Sequence, residues 1–283
     1  MMQWLELQIV VHPDSHEAVA ELCRQAGAQG VRLEADTVIA GLPVTEGLDP
    51  RRERLMKQLL LLPEWGLPPV QRVEERLRDD SEWADAWKQF FHPFRVGERV
   101  VIKPSWEDYT PQEKDVVIEL DPGMAFGTGQ HETTQLCLEF LEKLVQYGMK
   151  VVDVGTGSGI LAIAAAKLGA ACVWAGDNDP LAVLTAQRNV VRNGVERTVS
   201  VQQAEGCEDA PECDLLVANL TAEVILQLLP DFARCVRRGG WLVVSGIILE
   251  RAERIRSALS RASWQAIQYC EQGEWCAFAA QRG

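Results

Sequence analysis

The sequence lacks a membrane span: no apolar run approaches the roughly 20 residues a bilayer-crossing helix needs. It also lacks a C-x-x-C pair and any Cys/His cluster, so no metal site is expected. Its eight cysteines are scattered; Cys207 and Cys213, like Cys270 and Cys276, stand six apart, which fits neither zinc spacing nor a disulfide framework. Reduced thiols in a cytoplasmic protein are the expectation. The start, MMQWLELQIVVHPD, has no basic n-region and carries Glu6 early, so it does not read as a signal peptide. A basic excess is missing too. Lys and Arg number 28 against 41 Asp and Glu, a net charge of −13, and residues 1–94 (10 against 16) share the sign of the remainder (18 against 25). Such a surface repels phosphate backbones, so direct nucleic-acid binding is not expected, whereas a basic protein partner would be attracted.

What is present is centred on Lys150 to Pro180, KVVDVGTGSGILAIAAAKLGAACVWAGDNDP. It reads as strand, glycine loop, helix, strand and acidic turn. Val151, Val152 and Val154 are a β-branched run suited to a strand buried on both faces. Gly155, Gly157 and Gly159 follow, then the alanine-rich helix former Ile160 to Leu168, with Gly169 as its cap. Glycine suits a loop whose backbone must approach a ligand at the positive end of the next helix. Asp177 lies 22 residues after Gly155, where a carboxylate can accept hydrogen bonds from the hydroxyls of an adenosine ribose. The dinucleotide fingerprint places its third glycine five residues after the first; here it comes after four, and Ile160 occupies the expected slot. G-T-G-S-G preceded by Asp153 resembles instead the first motif of class I methyltransferases, which bind S-adenosylmethionine. The bland alternative is a tight βα turn with no ligand.

The first 80 residues read as a separate fold. A strand over Trp4–Val11 turns Leu5, Leu7 and Ile9 to one side. A helix opens at Ser15 or His16 with Val19, Leu22, Cys23 and Ala26 on its stripe, and Gly27 closes it. A strand follows over 30–40, then a helix over Arg51–Leu62 with Leu55, Met56, Leu59 and Leu60 inward, and a charged last strand over Val70–Leu77. That order, β-α-β-(β)-α-β, predicts a ferredoxin-like α/β sandwich. His12 and His16 read as surface residues. Residues 79–94 then carry Trp83, Trp87, Phe90 and Phe91 on a helical stripe that Pro93 ends, a linker helix packed on a neighbouring domain in preference to a ligand box. Strands are expected over 96–104 and 114–120. Between them and the centre lies the glycine-rich stretch Asp121–Thr134, apolar at Met124 and Phe126, which runs into a helix with Leu138, Leu141, Leu144 and Val145 on its stripe; Thr133 and Thr134 fall in its first turn, beside free backbone N–H groups. After Asp177, helices over 180–193, 224–236 and 251–259 alternate with strands over 198–203, 214–218 and 241–245, and two strands close the chain at 264–269 and 274–280. Alternation of this kind predicts a mostly parallel sheet with ligands at the carboxyl ends of its strands, so Gly155, Asp177 and Asn219 should meet at one crevice.

LDPGMAFGTGQHETT, VVDVGTGSGILAIAAAKLGA, DNDP and LLVANL, in this order, resemble the ribosomal protein L11 methyltransferase family, and WADAWKQFFHPFRVGERVVIKPSW is similar to that family's linker and first strands. The likeness is strongest over about residues 83–250. It implies a Rossmann-like class I methyltransferase sheet over 95–283, a linker helix over 79–94 and a ferredoxin-like α+β substrate-recognition domain over 1–78. It implies methyl transfer from S-adenosylmethionine to the α-amine and lysine ε-amines of ribosomal protein L11, leaving S-adenosylhomocysteine. Carried over by position, the cofactor contacts are Thr134, Gly155, Asp177 and Asn219, with Gly157 in the same loop. Gln130 and Glu132 stand where the family usually has Thr and Pro. No cluster marks a general base, so none is assigned; Asn219 could hold the cofactor or present its carbonyl to the amine. Leu220-Thr221 follows Asn219 in place of Pro-Pro-aromatic, which argues against a planar amide or base as substrate. The rivals are a methyltransferase acting on another protein's lysine, a nicotinamide-dependent oxidoreductase and a module that binds S-adenosylmethionine without turnover.

Overall fold

A computed structural model describes residues 3–28, 30–44, 48–79, 92–121, 129–262 and 264–283. The chain divides into two units, Met1–Phe91 and His92–Gly283. In the first, β1 (Gln3–Val10), α1 (His16–Gln25), β2 (Gly30–Glu34), β3 (Thr37–Pro43), α2 (Leu48–Leu60) and β4 (Arg72–Asp79) build one sheet in the order β2-β3-β1-β4. Every pairing is antiparallel, with β1 between the strands that follow it, as a ferredoxin-like fold requires. Leu7 and Ile9 of β1 and Val19 and Cys23 of α1 are fully buried in its core together with Leu55 and Leu59 of α2.

Three expectations for this unit change. The single strand expected over 30–40 is a hairpin, β2–β3, because Thr37 Oγ1 donates to Asp36 Oδ1 and Val11 N–H to the Asp36 carbonyl at its turn. Leu60, expected on the buried stripe of α2, is 77% exposed, and the fully buried Leu62 of the following 3-10 turn fills the core instead. His16, expected at the surface, is half-buried at the start of α1, with Nε2 enclosed. The linker helix expected over 79–94 meets the described residues only at its ends, where Asp79 closes β4 and Phe94 opens the next strand. Its aromatic stripe, Trp83, Trp87, Phe90 and Phe91, lies outside the described residues, as do Met124 and Phe126.

In the second unit, β5 (Phe94–Val96), β6 (Val100–Lys103) and β7 (Val116–Glu119) form a small sheet, and the strand expected over 96–104 is broken at Gly97, whose φ is 64°. Helix α3 (Glu132–Leu144) leads into β8 (Lys150–Val154), α4 (Ile160–Lys167), β9 (Cys172–Asp177), α5 (Pro180–Arg192), β10 (Val199–Gln203), β11 (Cys213–Asn219), α6 (Ala222–Cys235), β12 (Val236–Ile248), α7 (Ala252–Arg261), β13 (Trp264–Gln272) and β14 (Trp275–Arg282). Their sheet runs β10-β9-β8-β11-β12-β14-β13. The first five strands are parallel, and β14 is antiparallel to both neighbours. That reversal follows from the tight β13–β14 turn at Gly273 (φ 60°), since a hairpin can only be antiparallel. A doubly wound dinucleotide sheet, 3-2-1-4-5-6, has no such strand. Both faces are covered: Val151 enters the core shared with α3 and α4, Val152 and Val154 the core shared with α6 and α7.

Strand order reverses between β8 and β11, and there the register brings three ends level. Val154 pairs with Gly176 on one side and Ala218 on the other. The next residues of the three strands are Gly155, Asp177 and Asn219.

Candidate functional site

The glycine loop is fastened from below and from both sides. Gly155 and Thr156 donate their N–H groups to the Gly176 carbonyl at 2.8 and 3.0 Å, tying the loop to β9. Asp153, fully buried, accepts from Thr156 Oγ1 (2.6 Å) and from the Ala162 N–H (3.2 Å) through one oxygen, which ties the loop to the first turn of α4. Its other oxygen has no partner among the described residues. Burial therefore dominates, and with the nearby Asp177 charge it pushes the Asp153 carboxyl up to about 7 against the two hydrogen bonds. Asn189 of α5 donates to the Ser158 carbonyl at 2.8 Å. Gly155, Gly157 and Gly159 have φ of 73°, 56° and 84°, the left-handed region where a side chain is strained.

Asp177 faces the loop. One carboxylate oxygen accepts the Gly157 N–H (2.8 Å), the other the Asp179 N–H (3.0 Å). Each oxygen keeps acceptor capacity for a further donor. Asp179 in turn caps α5 by accepting from the Leu181 N–H, with Pro180 at the first helical position.

On the opposite side, α3 begins with His131 as its N-cap. Thr133 and Thr134 in its first turn are buried, and Asn219 Nδ2 reaches across to both hydroxyls, at 3.1 and 3.4 Å. The position of Asn219 depends on Gly246 (φ 85°), where a Cβ would fall 2.3 Å from the Leu220 carbonyl oxygen; its absence lets β12 close on the residue after Asn219.

Thr134, Gly155, Thr156, Gly157, Ile160 and Asn219 line one narrow cleft. Four of the five residues expected to hold a cofactor thus converge there, and the fifth, Asp177, is bonded to Gly157 at its edge. Larger depressions lie elsewhere, one lined by Arg99, Glu139 and Glu142, one by Cys207, Asp231 and Arg234, but neither touches the strand ends at the reversal point. A model of the family "Ribosomal protein L11 methyltransferase (PrmA)" matches residues 3–283. The chain belongs to this family. The ribosomal protein L11 methyltransferase of Pelotomaculum thermopropionicum is 42% identical over 304 residues, covering 99% of each chain. That of Symbiobacterium thermophilum is 46% identical over 250 residues, covering 87% of this chain and 81% of its own. A crystal structure of ribosomal protein L11 methylase from Lactobacillus delbrueckii subsp. bulgaricus superposes with a TM-score of 0.64 at 37% identity, covering 68% of this chain and 99% of that one.

Sequence reasoning missed Gly246 and Asn189. The first carried a signal, a glycine within an apolar strand. The second had none, because a polar residue on an amphipathic helix gives no hint that it is turned inward.

Proposed function

We propose that the protein transfers methyl groups from S-adenosylmethionine to lysine ε-amino groups and the N-terminal α-amino group of ribosomal protein L11. The observation that carries this reading is the convergence of Thr134, the glycine loop and Asn219 on one cleft in a chain of this family. The groups present suit the cofactor. Asp177 offers an anchored carboxylate to ribose hydroxyls, Gly155 and Gly157 bring bare backbone to the cleft, and Thr134 and Asn219 close its other side. When bound, S-adenosylmethionine supplies a methyl group on a sulfonium, which leaves as a neutral thioether while the amine's lone pair forms the new N–C bond. The protein's share is to orient that pair and exclude water. Among the described residues lining the cleft none is a Lys, His, Asp or Glu, and on this reading the amine arrives neutral, having lost its proton to solvent. A nicotinamide-dependent activity is disfavoured by the reversed β14 and by the position of Gly159.

On this reading residues 1–78 recognise the substrate and 95–283 carry the chemistry, in the cytoplasm and without direct nucleic-acid contact. No described helix is long and apolar enough to cross a membrane. The test is transfer of a tritiated methyl group to purified L11, with a second basic ribosomal protein as control. Label on L11 alone supports the assignment. Label on the control and none on L11 points to the rival lysine substrate, and cofactor binding with no label on any protein points to a binding module.

A further inference from the structure

Asn219 meets a short relay whose hydrogens we assign from the backbone contact at its start. The Thr133 backbone N–H donates to His131 Nδ1 at 3.3 Å. A backbone N–H has no other role, so that ring nitrogen carries a lone pair and the imidazole proton is on Nε2. The Thr133 hydroxyl lies 2.8 Å from the same Nδ1 and must therefore donate to it. Having given its only hydrogen to His131, Thr133 Oγ1 can only accept from Asn219. It does so from Nδ2 at 3.1 Å, and Thr134 Oγ1 takes a second contact at 3.4 Å. Both amide hydrogens of Asn219 are then engaged by α3, which leaves the carbonyl as its free end. The ring itself is held edge-on against Trp275, the first residue of β14, centroids 5.0 Å apart at 65°.

We propose that His131 is a positioning residue that, through the Thr133 hydroxyl, fixes the Asn219 amide with its carbonyl toward the cleft, where it accepts an N–H of the substrate amine. The consequence for rate rests on the proposed function; the amide's orientation does not. Without Nδ1 the Thr133 hydroxyl is free to donate to the Asn219 carbonyl, and the amide can turn its NH2 to the cleft. An NH2 there repels a nitrogen whose N–H groups grow more acidic as its lone pair bonds to the methyl carbon. A carbonyl strengthens its hydrogen bond over the same change, so its benefit falls on the transition state more than on binding.

The full-length protein is labelled with 15N-asparagine, and the Asn219 side-chain pair is identified by its loss in Asn219→Asp. In His131→Ala this pair should shift and exchange faster with solvent. In His131→Asn, whose side-chain oxygen can replace Nδ1 as acceptor for both Thr133 donors, it should stay near its wild-type position. The kinetic counterpart is a fall of about tenfold in kcat for His131→Ala, the size of one misdirected hydrogen bond, with recovery in His131→Asn and little change in KM for the cofactor. Thr133→Val keeps the backbone cap on His131 and removes only the hydroxyl, so it decides the case if His131→Ala folds poorly. Its kcat should fall similarly, and the double variant His131→Ala/Thr133→Val should be no slower than Thr133→Val alone. An unmoved Asn219 pair in a folded His131→Ala, or losses that multiply in the double variant, would overturn the relay. A pair that shifts with unchanged kcat supports the relay and overturns instead the placement of Asn219 beside the reacting amine.

Discussion

The two units bury polar groups very differently. Among the described residues, the buried polar side chains of the first are Glu6 and Ser15. Ser15 donates to the Pro68 carbonyl and Glu6 accepts from Gln8, and the rest of the core is apolar. The second unit buries Thr133, Thr134, Asp153, Thr156, Ser158, Asn189 and Ser245. All but Ser245 stand at the glycine loop, on the first turn of α3, or bonded to one of these, and Ser245 pairs with Asn219 in the sheet. Each such group costs roughly 1–3 kcal/mol wherever its partner is lost. A core that needs only to hold together avoids them, as the first unit does. One that must hold backbone N–H groups and carboxylates in fixed directions accumulates them, so the concentration of polar burial marks the site independently of any motif.

The largest effect should come from separating the units. A fragment beginning near Asp79 retains every residue of the cleft. We expect it to bind S-adenosylmethionine with near-normal affinity while methylation of L11 falls by about a hundredfold or more, because substrate-binding energy remote from the reacting amine is lost with the first unit. Calorimetry and transfer of tritiated methyl on the same preparation measure both. Equal rates for fragment and full chain would show that the first unit does not recognise L11.

Point changes divide the same way. Leu55→Ala empties a fully buried site in the first unit and should cost about 2–5 kcal/mol of stability there, with cofactor affinity unchanged by calorimetry. Asp177→Ala should do the reverse. It removes one carboxylate whose charge-assisted hydrogen bonds are worth about 1.5–3 kcal/mol each, so affinity for S-adenosylmethionine should drop at least about tenfold in a protein that still folds. A folded Asp177→Ala protein with normal affinity would take Asp177 out of the site.

How much of this could be read beforehand differs between the units for a physical reason. Periodicity reports which face of an element is apolar, so the stripe Val19, Leu22, Cys23 and Ala26 and the run Val151, Val152 and Val154 were legible. Glycine spacing and an acidic residue at a strand end are local, so Gly155, Gly157 and Asp177 were legible as a group. Leu60 was misplaced because the helix stops where its stripe would continue, and the 30–40 hairpin was missed because its turn, Ala35-Asp36, has neither Gly nor Pro. The relay from His131 to Asn219 joins residues 88 positions apart through one hydroxyl. No pattern in a single chain reports a contact of that kind, nor the enclosure that raises the Asp153 carboxyl.

That enclosure gives the smallest and most selective contrast. The Asp153 carboxyl stands at about 7, above its ordinary 3.8, because burial penalises its charge. Between those values the folded protein holds a proton that the unfolded chain has released. The stabilisation from Asp153 is therefore complete below the unfolded value, and it is lost as pH rises through about 7. Asp153→Asn holds no titrating proton and keeps an oxygen for Thr156 and Ala162. Its melting temperature should thus gain on that of the wild type between about pH 5 and about pH 8, whichever protein is the more stable at the start. Ser15→Ala in the first unit is the control: the bond it removes, to the Pro68 carbonyl, joins no titrating group, so its deficit should be the same at both pH values. Thermal melts of the three proteins in the same buffers decide the matter. A wild type and Asp153→Asn that keep a constant separation would mean that the loop rests on a carboxylate charged throughout that range, and that Asp153 is less enclosed than its surroundings imply.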